Sequence, residues 1–314
     1  MSHHQATTHD TPPIKQEEIA AVVVLYHPDD SVFDNLNSYA QQVSAIFAID
    51  NTEKNQSNTH LREALRKNEK IIYLPNNENL GIAKALNIGA QCALKSGYKF
   101  LLTMDQDSTA SPTMIADLVH AAAGEALNTV GILSPFHSTT TDPHPSTDKT
   151  TEVLTAWTSG SLLHLAAYKE TGPFTEELFI DFVDHEYCLR LNLAGYKILK
   201  VNKAVLTHNI GNLKQHRLLW KYPTASNHSA LRRYYITRNR FYIASQFKNK
   251  FPEFFREDLL IFLKELVVIL LFENERLQKY KMILRGFYDY KKGFLGKYQD
   301  VHQQDHSCPP PRLS

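Results

Sequence analysis

Two aspartates, Asp105 and Asp107, follow the apolar run Phe100 to Met104 and are separated by one glutamine. In an extended backbone, side chains two positions apart point to the same side, so the two carboxylates can converge. Mg²⁺ and Mn²⁺ are typically held by one or two carboxylates and complete their coordination with substrate phosphates. The pair therefore predicts a divalent-cation site at a bound diphosphate, although an isolated Asp-x-Asp is more often a solvated turn.

Asp50 also closes an apolar run and is a candidate contact to a nucleotide base. A carboxylate at this place can accept the N3 proton of a uracil or thymine ring, which cytosine does not offer. A helix-capping or turn aspartate is the alternative role. His208 follows the apolar run 200–206 and could ligate a cation or hydrogen-bond a phosphate, whereas a lone histidine is more often structural.

An acidic cluster of Asp181, Asp184 and Glu186 lies at the start of a helix predicted from about Asp184 to Ala194. Asp184 would stand at the N-terminus of that helix, where an aspartate can simply be the N-cap. The functional alternative is a general base that takes the proton from an attacking hydroxyl. The spacing alone leaves both roles open.

Two further segments carry residues suited to a nucleotide or a phosphate. Asn79 to Gly89 places glycine at a helix start and small residues along one face. This pattern suits either close approach to a nucleotide or tight packing of a helix on a sheet. Arg232 to Arg240 contains four arginines, which either lie on a solvated helix surface or neutralise a pyrophosphate.

The elements that must position these residues alternate regularly in the first third of the chain. β-branched, apolar runs predict strands at Ile19 to Leu25, Ser44 to Ile49, Lys70 to Leu74 and Phe100 to Met104. Helices are predicted between them, at Ser31 to Gln42, Thr59 to Lys67 and Gly81 to Ser96. This order predicts a Rossmann-like α/β fold, with a mainly parallel sheet flanked by helices and ligands at the carboxyl ends of the strands.

The rest of the chain divides less regularly. A Thr/Pro/Asp-rich loop at 137–149 is expected to cover or flank a site, and 228–292 is predicted to be helical. Residues 1–18 and 299–314 are polar or proline-rich and are predicted to be disordered tails. The predicted folded body is therefore an α/β domain at 19–225 and a C-terminal helical region at 226–298.

Composition narrows the classes of partner and compartment. Lys plus Arg, 34, nearly balance Asp plus Glu, 33, which argues against nucleic acid as a partner. Three widely spaced cysteines and the lack of a signal-peptide pattern favour the cytoplasm. The stretch 254–272 is strongly apolar but carries Lys264 and Glu265, and it is too short to span a bilayer. It could be a core helix, a membrane-surface helix or a dimer contact.

Taken together, the motifs resemble the inverting glycosyltransferases of family 2, which have the GT-A fold, and especially their bacterial rhamnosyltransferase branch. The resemblance covers about residues 19–292, and its motifs are specific jointly, through their order and spacing. They are Val22 to Pro28, Asp50-Asn51, Asn79 to Gly89, Asp105 to Asp107, Phe179 to Arg190 with Gly195-Tyr196, and His208 to Gly211.

The resemblance implies that Asp50 contacts the pyrimidine, that Asp105 and Asp107 hold the metal with help from His208, and that Asp184 is the base. Further contacts to the nucleotide sugar are expected from Tyr26, His27, Asn51, Asn79, Gly81, Lys84, Asn87 and Gln106, together with Asp50 and Asp105. Contacts to the acceptor or the diphosphate are expected from Trp157, Ser159, Gly160, Asp181, Glu186 and Arg238. In many relatives the base follows a glutamate, whereas here it follows Val183, which leaves Asp181 or Glu186 as lesser candidates for the base.

The expected reaction is the inverting transfer of L-rhamnose from dTDP-L-rhamnose to a hydroxyl of a lipid-linked cell-surface glycan such as O-antigen, with Mg²⁺ or Mn²⁺ as cofactor. Another donor, such as a UDP-hexose or UDP-galactofuranose, is the alternative. There are two more distant alternatives. One is an aspartyl-phosphate phosphatase built on Asp105, Asp107 and Thr109, and the other is a non-catalytic nucleotide-sugar binding protein. A cytoplasmic location is expected, with peripheral contact to the inner membrane and a homodimer as further possibilities.

Overall fold

The computed structural model describes residues 14–56, 58–123, 125–139, 142–208, 214–215 and 224–299. The greater part of the two predicted tails, 1–13 and 300–314, and the motif residues 209–211 lie outside this description. Ile14 is buried in the core, and Gln16–Glu18 form one 3-10 turn. The end of the predicted N-terminal tail at residue 18 is therefore wrong, because Ile14 is packed in the core and residues 16–18 are ordered in a turn.

Strands and helices alternate in the first half of the chain, as predicted. In order they are β1 (Ile19–Leu25), α1 (Val32–Ala40), β2 (Ala45–Asp50), α2 (Thr59–Lys67), β3 (Ile71–Pro75), α3 (Ile82–Lys95), β4 (Phe100–Asp105), β5 (Ser108–Ala110), α4 (Met114–Ala122) and β6 (Val130–Ser138). The second half contains β7 (Thr150–Glu152), β8 (Ser161–His164), α5 (Leu165–Thr171), α6 (Val183–Leu193), β9 (Lys197–His208), β10 (Lys214–Gln215), β11 (Thr224–Ala225), α7 (Ala230–Phe247), α8 (Pro252–Phe272) and α9 (Arg276–Lys292).

One mixed sheet organises the fold, with strand order β3-β2-β1-β4-β8-β6-β9-β5 and β7 paired to β9. Strands β3, β2, β1 and β4 are parallel, and β6 is parallel to β9. Strand β8 runs antiparallel to both of its neighbours, and β5 and β7 run antiparallel to β9. The predicted α/β fold with a mainly parallel sheet is confirmed.

The sheet is buried on both faces, because successive side chains of a strand point in opposite directions. Ala21, Val23 and Leu25 of β1 lie in the core under α1, α2 and α4. Ala20 and Val22 lie in the opposite core, under α3 and α6. Helix α3 lies so close to β1 that a Cβ on Gly89 would be 2.2 Å from Cγ2 of Val22.

The prediction that Asp105 and Asp107 share one extended strand is wrong. Strand β4 ends at Asp105, a turn follows at Gln106 and Asp107, and the short strand β5 returns along β9. The two carboxylates therefore lie at the start and the end of a tight turn. Their proximity arises from the turn and not from the two-residue repeat of a strand.

The predicted helical region 228–292 consists of three helices, α7, α8 and α9. Pro252 begins α8, where proline's missing N–H has no intrahelical partner to lose. Helix α7 is central, and its Arg233, Arg238 and Arg240 are buried. The solvated-surface interpretation of these arginines is therefore wrong. None of the described helices combines the length and the apolar composition that crossing a bilayer requires.

Candidate active site

The carboxyl ends of β2, β1 and β4 meet at one edge of the sheet. Asp50 pairs in register with Leu25, and Asp105 pairs with Val24. The two aspartates therefore flank the end of β1, where the loop that begins with Tyr26 and His27 leaves the sheet. The expectation that polar residues after these strands come together at this edge is confirmed for both.

Asp50 is 2% exposed and lies in a network of donors. Its Oδ1 accepts from the amide of Thr52 at 2.8 Å, and its Oδ2 accepts from the hydroxyl of Tyr73. Burial, and then the bond to Asp50, raise the pKa of the Tyr73 hydroxyl. Tyr73 therefore stays protonated at neutral pH and donates a hydrogen bond to Asp50. Asp50 is thus also a turn aspartate, as its alternative role predicted.

Arg62 of α2 stands beside Asp50, with Nε 3.5 Å from Oδ2. Nε and Nη2 of Arg62 are buried and have no hydrogen-bond partner among the described residues. These side chains line a cavity of about 100 Å³, together with His27, Pro28, Thr52, Gln56, Asn58 and Leu61. A buried acceptor next to a buried donor without a partner matches the edge of uracil or thymine, which presents an N3–H beside a carbonyl oxygen.

The loop after β1 forms one rim of this cavity. The backbone amide of His27 donates to Oγ1 of Thr52 at 2.8 Å. Nε2 of the His27 ring lies 3.2 Å from Oε2 of Glu53. His27 has a left-handed backbone (φ +46°), and the exposed ring of Tyr26 packs edge-on against it at 4.2 Å. The structure therefore places Tyr26 and His27 at the predicted nucleotide site.

Gln106 connects the Asp105–Asp107 turn to the end of β1 through two hydrogen bonds with the backbone of Tyr26. Its Oε1 accepts from the amide of Tyr26 at 2.7 Å, and its Nε2 donates to the carbonyl of Tyr26 at 3.1 Å. The side chain of Asn35 holds the Gln106 carbonyl at 2.9 Å. Since both ends of its amide are used within the protein, we reassign Gln106 from a nucleotide contact to a residue that positions the two aspartates.

The metal site predicted at Asp105 and Asp107 has a suitable donor set. Asp105 is half-buried at the end of β4, and Asp107 is exposed. His208 pairs in register with Ser108, so the backbone places it beside the turn. Among the side chains that the structure describes, which do not include that of His208, no three His, Cys, Asp or Glu residues cluster as metal ligands do. Two hard carboxylate ligands open to solvent suit a cation whose remaining ligands are phosphate and water.

Ser159 connects this turn to the segment before β8. Its Oγ accepts from the amide of Asp105 at 3.2 Å and donates to Oγ of Ser108 at 2.9 Å. Gly160 has φ +77°, and a Cβ there would lie 2.7 Å from Cγ of Pro135, so the position requires glycine. Trp157 is exposed, with its ring edge-on to His137 at 4.7 Å. Ser159 thus contacts Asp105 directly, Gly160 donates its amide to the Thr103 carbonyl in β4, and Trp157 lies two residues before Ser159 in the same segment.

Several residues between positions 51 and 89 were predicted to contact the nucleotide, but in the structure they mainly hold α3 in place. Asn51 is buried and donates to the carbonyl of Gly81 at 3.0 Å, and Oδ1 of Asn79 accepts from the Gly81 amide at 3.0 Å. Asn87 is buried and accepts from the amide of Phe174 and the hydroxyl of Tyr168. Lys84 forms an ion pair with Glu176 at 2.8 Å. We therefore reassign Asn51 and Asn87 from nucleotide contacts to structural residues.

The segment before α6 has an unusual backbone. Phe179, Asp181 and Phe182 all have positive φ, between +62° and +66°, although none is glycine. Each such residue costs about 1–3 kcal/mol, and residues of this kind concentrate at functional sites. Gly81 makes room for the segment, because a Cβ on Gly81 would lie 2.6 Å from the Phe179 carbonyl oxygen.

Side chains of helix α7 hold the segment before α6 in place through hydrogen bonds to its backbone carbonyls. Nδ2 of Asn239 lies 2.9, 2.7 and 2.9 Å from the carbonyl oxygens of Leu178, Ile180 and Asp181. The guanidinium of Arg238 donates to the carbonyls of Gly296, Glu177 and Leu178 and lies over the rings of Tyr234 and Tyr235. Arg238 is 1% exposed. Its predicted contact with a diphosphate or acceptor is therefore wrong, and it is a positioning residue.

Asp184 lies in the first turn of α6 and is half-buried. The N-cap is Phe182, so the N-cap alternative for Asp184 is wrong. Its Oδ1 accepts from the amide and from Nδ1 of His185, each at 2.8 Å. Burial by itself raises the pKa of Asp184, but the charge and bonds of His185 outweigh it and lower the pKa below 3.8. Asp184 is therefore ionised at neutral pH, as a general base must be.

The two lesser candidates for the base differ from Asp184. Glu186 is buried, and both of its oxygens bind Arg190, at 2.6 and 2.9 Å, so the structure excludes it as the base. Asp181 lies 3.0 Å from Arg232, yet burial raises its pKa above the usual value. Opposite shifts in two neighbouring carboxylates favour Asp184 as the proton acceptor.

Sequence reasoning missed four residues of this site, namely Thr52, Arg62, Tyr73 and His185, and it gave Arg232 and Asn239, in the arginine-rich segment, no role in holding the loop before α6. Each lies on an element distant in sequence from the residue it serves, or carries no motif of its own. A local pattern could have indicated Thr52, whose amide binds Asp50 two residues earlier, and His185, which is adjacent to the predicted base.

Comparison with known proteins agrees with this geometry. The profile of glycosyl transferase family 2 matches residues 22–177. The dTDP-rhamnosyl transferase RfbF of Shigella flexneri is 28% identical over 268 residues, which cover 81% of this chain and 86% of RfbF. Residue motifs, profile and relative all lead to the same family.

Two solved structures have a similar fold. GalNAc-T7, solved with UDP, GalNAc and Mn²⁺, superposes with a TM-score of 0.58 at 15% identity, over 76% of this chain and 50% of GalNAc-T7. S. aureus TarS 1-349 in complex with UDP superposes with a TM-score of 0.50 at 13% identity, over 88% of this chain and 72% of TarS 1-349. The chain spans half the length of GalNAc-T7, and these likenesses concern the fold alone. The chain belongs to glycosyl transferase family 2 and is a glycosyltransferase.

Proposed function

We propose that the protein transfers L-rhamnose from dTDP-L-rhamnose to a hydroxyl of a lipid-linked glycan, with inversion at the anomeric carbon. The observation that carries the reaction type is the position of Asp50 and Asp105 on either side of the end of β1. This arrangement offers a base pocket on one side and carboxylates for a diphosphate-bound cation on the other. The choice of rhamnose is supported by the similarity to the dTDP-rhamnosyl transferase RfbF.

In this proposal the cavity beside Asp50 and Arg62 binds the pyrimidine. Asp50 accepts the N3 proton, and Nη2 of Arg62, which is buried without a partner among the described residues, donates to a ring carbonyl. Thymine and uracil present the same two groups. A UDP-hexose or UDP-galactofuranose is therefore the second candidate donor.

Asp105 and Asp107 would hold a divalent cation, with His208 as a further ligand. When bound, Mg²⁺ or Mn²⁺ stabilises the negative charge on the departing nucleoside diphosphate. Gln106 and Ser159 fix the turn that carries the two carboxylates, so that they are oriented before the donor arrives. A fixed arrangement of this kind lowers the reorganisation needed during the reaction.

Asp184 acts as the base. The acceptor hydroxyl attacks the anomeric carbon from the face opposite the leaving group, and its oxygen forms the new C–O bond as the bond to the diphosphate breaks. The hydroxyl proton passes to the ionised carboxylate of Asp184, and the nucleoside diphosphate leaves with the bonding electrons. The cation of His185 keeps that carboxylate ionised between turnovers.

The alternative reaction, phosphate hydrolysis through an aspartyl-phosphate, does not fit a glycosyltransferase. An aspartyl-phosphate phosphatase is excluded, because the chain belongs to glycosyl transferase family 2. The hydroxyl of Thr109, the third residue of that hypothesis, donates to Oδ1 of Asn35. A cytoplasmic location and a lipid-linked acceptor remain part of the proposal.

The experiment that tests the proposal is nucleotide release from a panel of dTDP- and UDP-sugars with Mg²⁺, Mn²⁺ or EDTA. We expect turnover of dTDP-rhamnose that EDTA abolishes and that falls by about 10²-fold or more in Asp107→Asn and Asp184→Asn. Glu69→Gln, an exposed acid at the amino end of β3, is the matched control and should be unaffected.

Three results would change the proposal. Turnover of a UDP-sugar alone would keep the mechanism and overturn the donor. Near-normal turnover in one aspartate variant would remove that residue from the mechanism. Turnover that EDTA does not reduce would exclude the cation.

A further inference from the structure

Helix α8 presents an exposed apolar face to solvent. Seven Leu, Ile and Val side chains between Leu259 and Leu271 are 48–61% exposed. Lys264 is the one exposed charge in this fully described stretch, since Glu265 pairs with Arg240 at 3.1 Å. Contiguous apolar patches of this kind on a protein surface mark contacts with another protein or a membrane. The core-helix interpretation of 254–272 is therefore wrong for this face.

Helix α9 combines exposed apolar residues with positive charge. Leu277, Leu284 and Tyr288 are 88%, 69% and 52% exposed. Residues 274–299 contain seven Lys and Arg and two acidic residues, whereas the rest of the chain contains 27 and 31. One of the two acids, Asp289, is buried against Tyr234 and Arg285. Positive charge thus concentrates on one element of a nearly neutral protein.

An aromatic cluster joins the two faces. Phe241 of α7 contacts Phe262 of α8 at 5.7 Å and Phe287 of α9 at 4.8 Å between ring centroids. Nζ of Lys291 lies over the ring of Phe287 at 5.6 Å, and Nζ of Lys292 lies over Tyr288 at 5.7 Å. The apolar face of α8 and the basic, aromatic face of α9 are therefore neighbouring parts of one surface.

We propose that the exposed faces of α8 and α9 bind the surface of a bilayer that contains anionic lipid. Helices with an apolar face and a basic fringe insert at the boundary between headgroups and acyl chains. A second copy of the chain would bring the same excess of positive charge to the contact, whereas anionic lipid supplies the opposite charge. The proposal rests on residues of α8 and α9 and does not depend on the identity of the donor sugar.

The test is flotation of the full chain with vesicles of phosphatidylcholine alone or with 30% phosphatidylglycerol, a composition of about one anionic lipid in three. We expect the wild type to float with the anionic vesicles at low salt and to be released in 1 M NaCl, where the Debye length is about 3 Å. Lys291→Ala with Lys292→Ala should weaken binding about 25-fold, since each basic residue near the surface contributes about fivefold.

Two further variants separate charge from apolar contact. Leu260→Gln with Val267→Gln should weaken binding about 10-fold or more, because both side chains would lose their burial in the acyl boundary. Lys95→Ala with Lys169→Ala removes two exposed lysines from α3 and α5 and should bind as the wild type does. All six residues are exposed, so unchanged melting temperatures would show that the variants are folded.

Failure to float with anionic vesicles at low salt would overturn the proposal. So would equal binding by the lysine pair of α9 and the control pair. A stable dimer in analytical ultracentrifugation that Leu260→Gln with Val267→Gln dissociates would show that a second copy covers this face. An enzyme that is active but does not bind vesicles contradicts only this proposal, whereas a vesicle-bound protein without turnover contradicts only the proposed function.

Discussion

Replacing Asn239 by alanine tests whether α7 holds the strained segment in front of Asp184. Asn239 is fully buried, and its amide serves the carbonyls of Leu178, Ile180 and Asp181. The Leu178 oxygen keeps its bond from Arg238, whereas the other two lose the bond from Asn239. Two partly buried carbonyls left without this donor cost at most about 2–6 kcal/mol, and relaxation of left-handed residues returns about 1–3 kcal/mol. Taking the middle of each range, about 4 and about 2 kcal/mol, the free energy of unfolding should fall by about 2 kcal/mol.

The effect on activity separates a positioning role from a merely structural one. A shift of about 1 Å in a reacting group can cost about 10²-fold in rate. We expect kcat to fall 10- to 100-fold, on the order of that figure, while KM for the donor stays near the wild-type value. The donor is expected to keep its affinity, because its proposed contacts lie at the ends of β1, β2 and β4.

Urea denaturation and steady-state kinetics measure both effects. Asn239→Asp has the same shape but aims a carboxylate oxygen at the carbonyls, so it should be at least as harmful as alanine if hydrogen bonding is the cause. Gln246→Ala, an exposed position on the same helix, should change the free energy of unfolding by less than about 0.5 kcal/mol. A stable Asn239→Ala protein with normal kcat would refute this reasoning.

Three further outcomes follow from the site. Gly81→Ala should lower the free energy of unfolding by about 2–4 kcal/mol in urea, because a Cβ meets the Phe179 carbonyl at 2.6 Å; Gly97→Ala, with a similar φ of +82° and open space, should lose only the smaller backbone part. Arg62→Lys keeps a positive charge near Asp50 but removes the second guanidinium donor, so the nucleotide Kd from calorimetry should rise about 10-fold while urea stability stays close to wild type. Asp184 raises the pKa of His185 above 6.5 in spite of burial. The contribution of this pair to the free energy of unfolding is therefore complete as pH falls to 6.5 and is lost as pH rises through the pKa of His185 in the folded protein. His185→Gln should lack this alkaline decline in urea denaturation, and a pH profile identical to that of the wild type would contradict the prediction.

The strands and the positions of the acidic residues were predictable because burial on both faces leaves a direct trace in sequence. The run Ile19–Leu25 is continuously apolar, and the strand has these bounds. A polar residue that ends such a run must lie at the edge of the sheet, which is why Asp50 and Asp105 were found. The turn after Asp105 was missed, because strand β5 is three residues long and is defined by its pairing with β9.

The residues that surround the aspartates were not predictable, because their partners are distant in sequence. Arginines such as Arg233 and Arg240 look like surface residues until Glu273, Asp258 and Glu265 are placed beside them. Similarly, nothing in the sequence signals a positive φ at Phe179, Asp181 or Phe182, where glycine is absent. Only tertiary contacts, from Gly81 and Asn239 among others, make that backbone stable.

Helix α7 therefore links the proposed base to the proposed membrane surface. On one side it holds the segment before Asp184 through Arg238 and Asn239. On the other it packs against α9 so closely that a Cβ on Gly286 would lie 2.5 Å from the Tyr234 carbonyl oxygen. Buried ion pairs such as Arg233 with Glu273 add little net stability, because desolvation offsets their attraction, but a mispaired charge is costly. The pairs thus favour one arrangement of α7, α8 and α9, and that arrangement fixes the surface helices relative to the loop that carries the base.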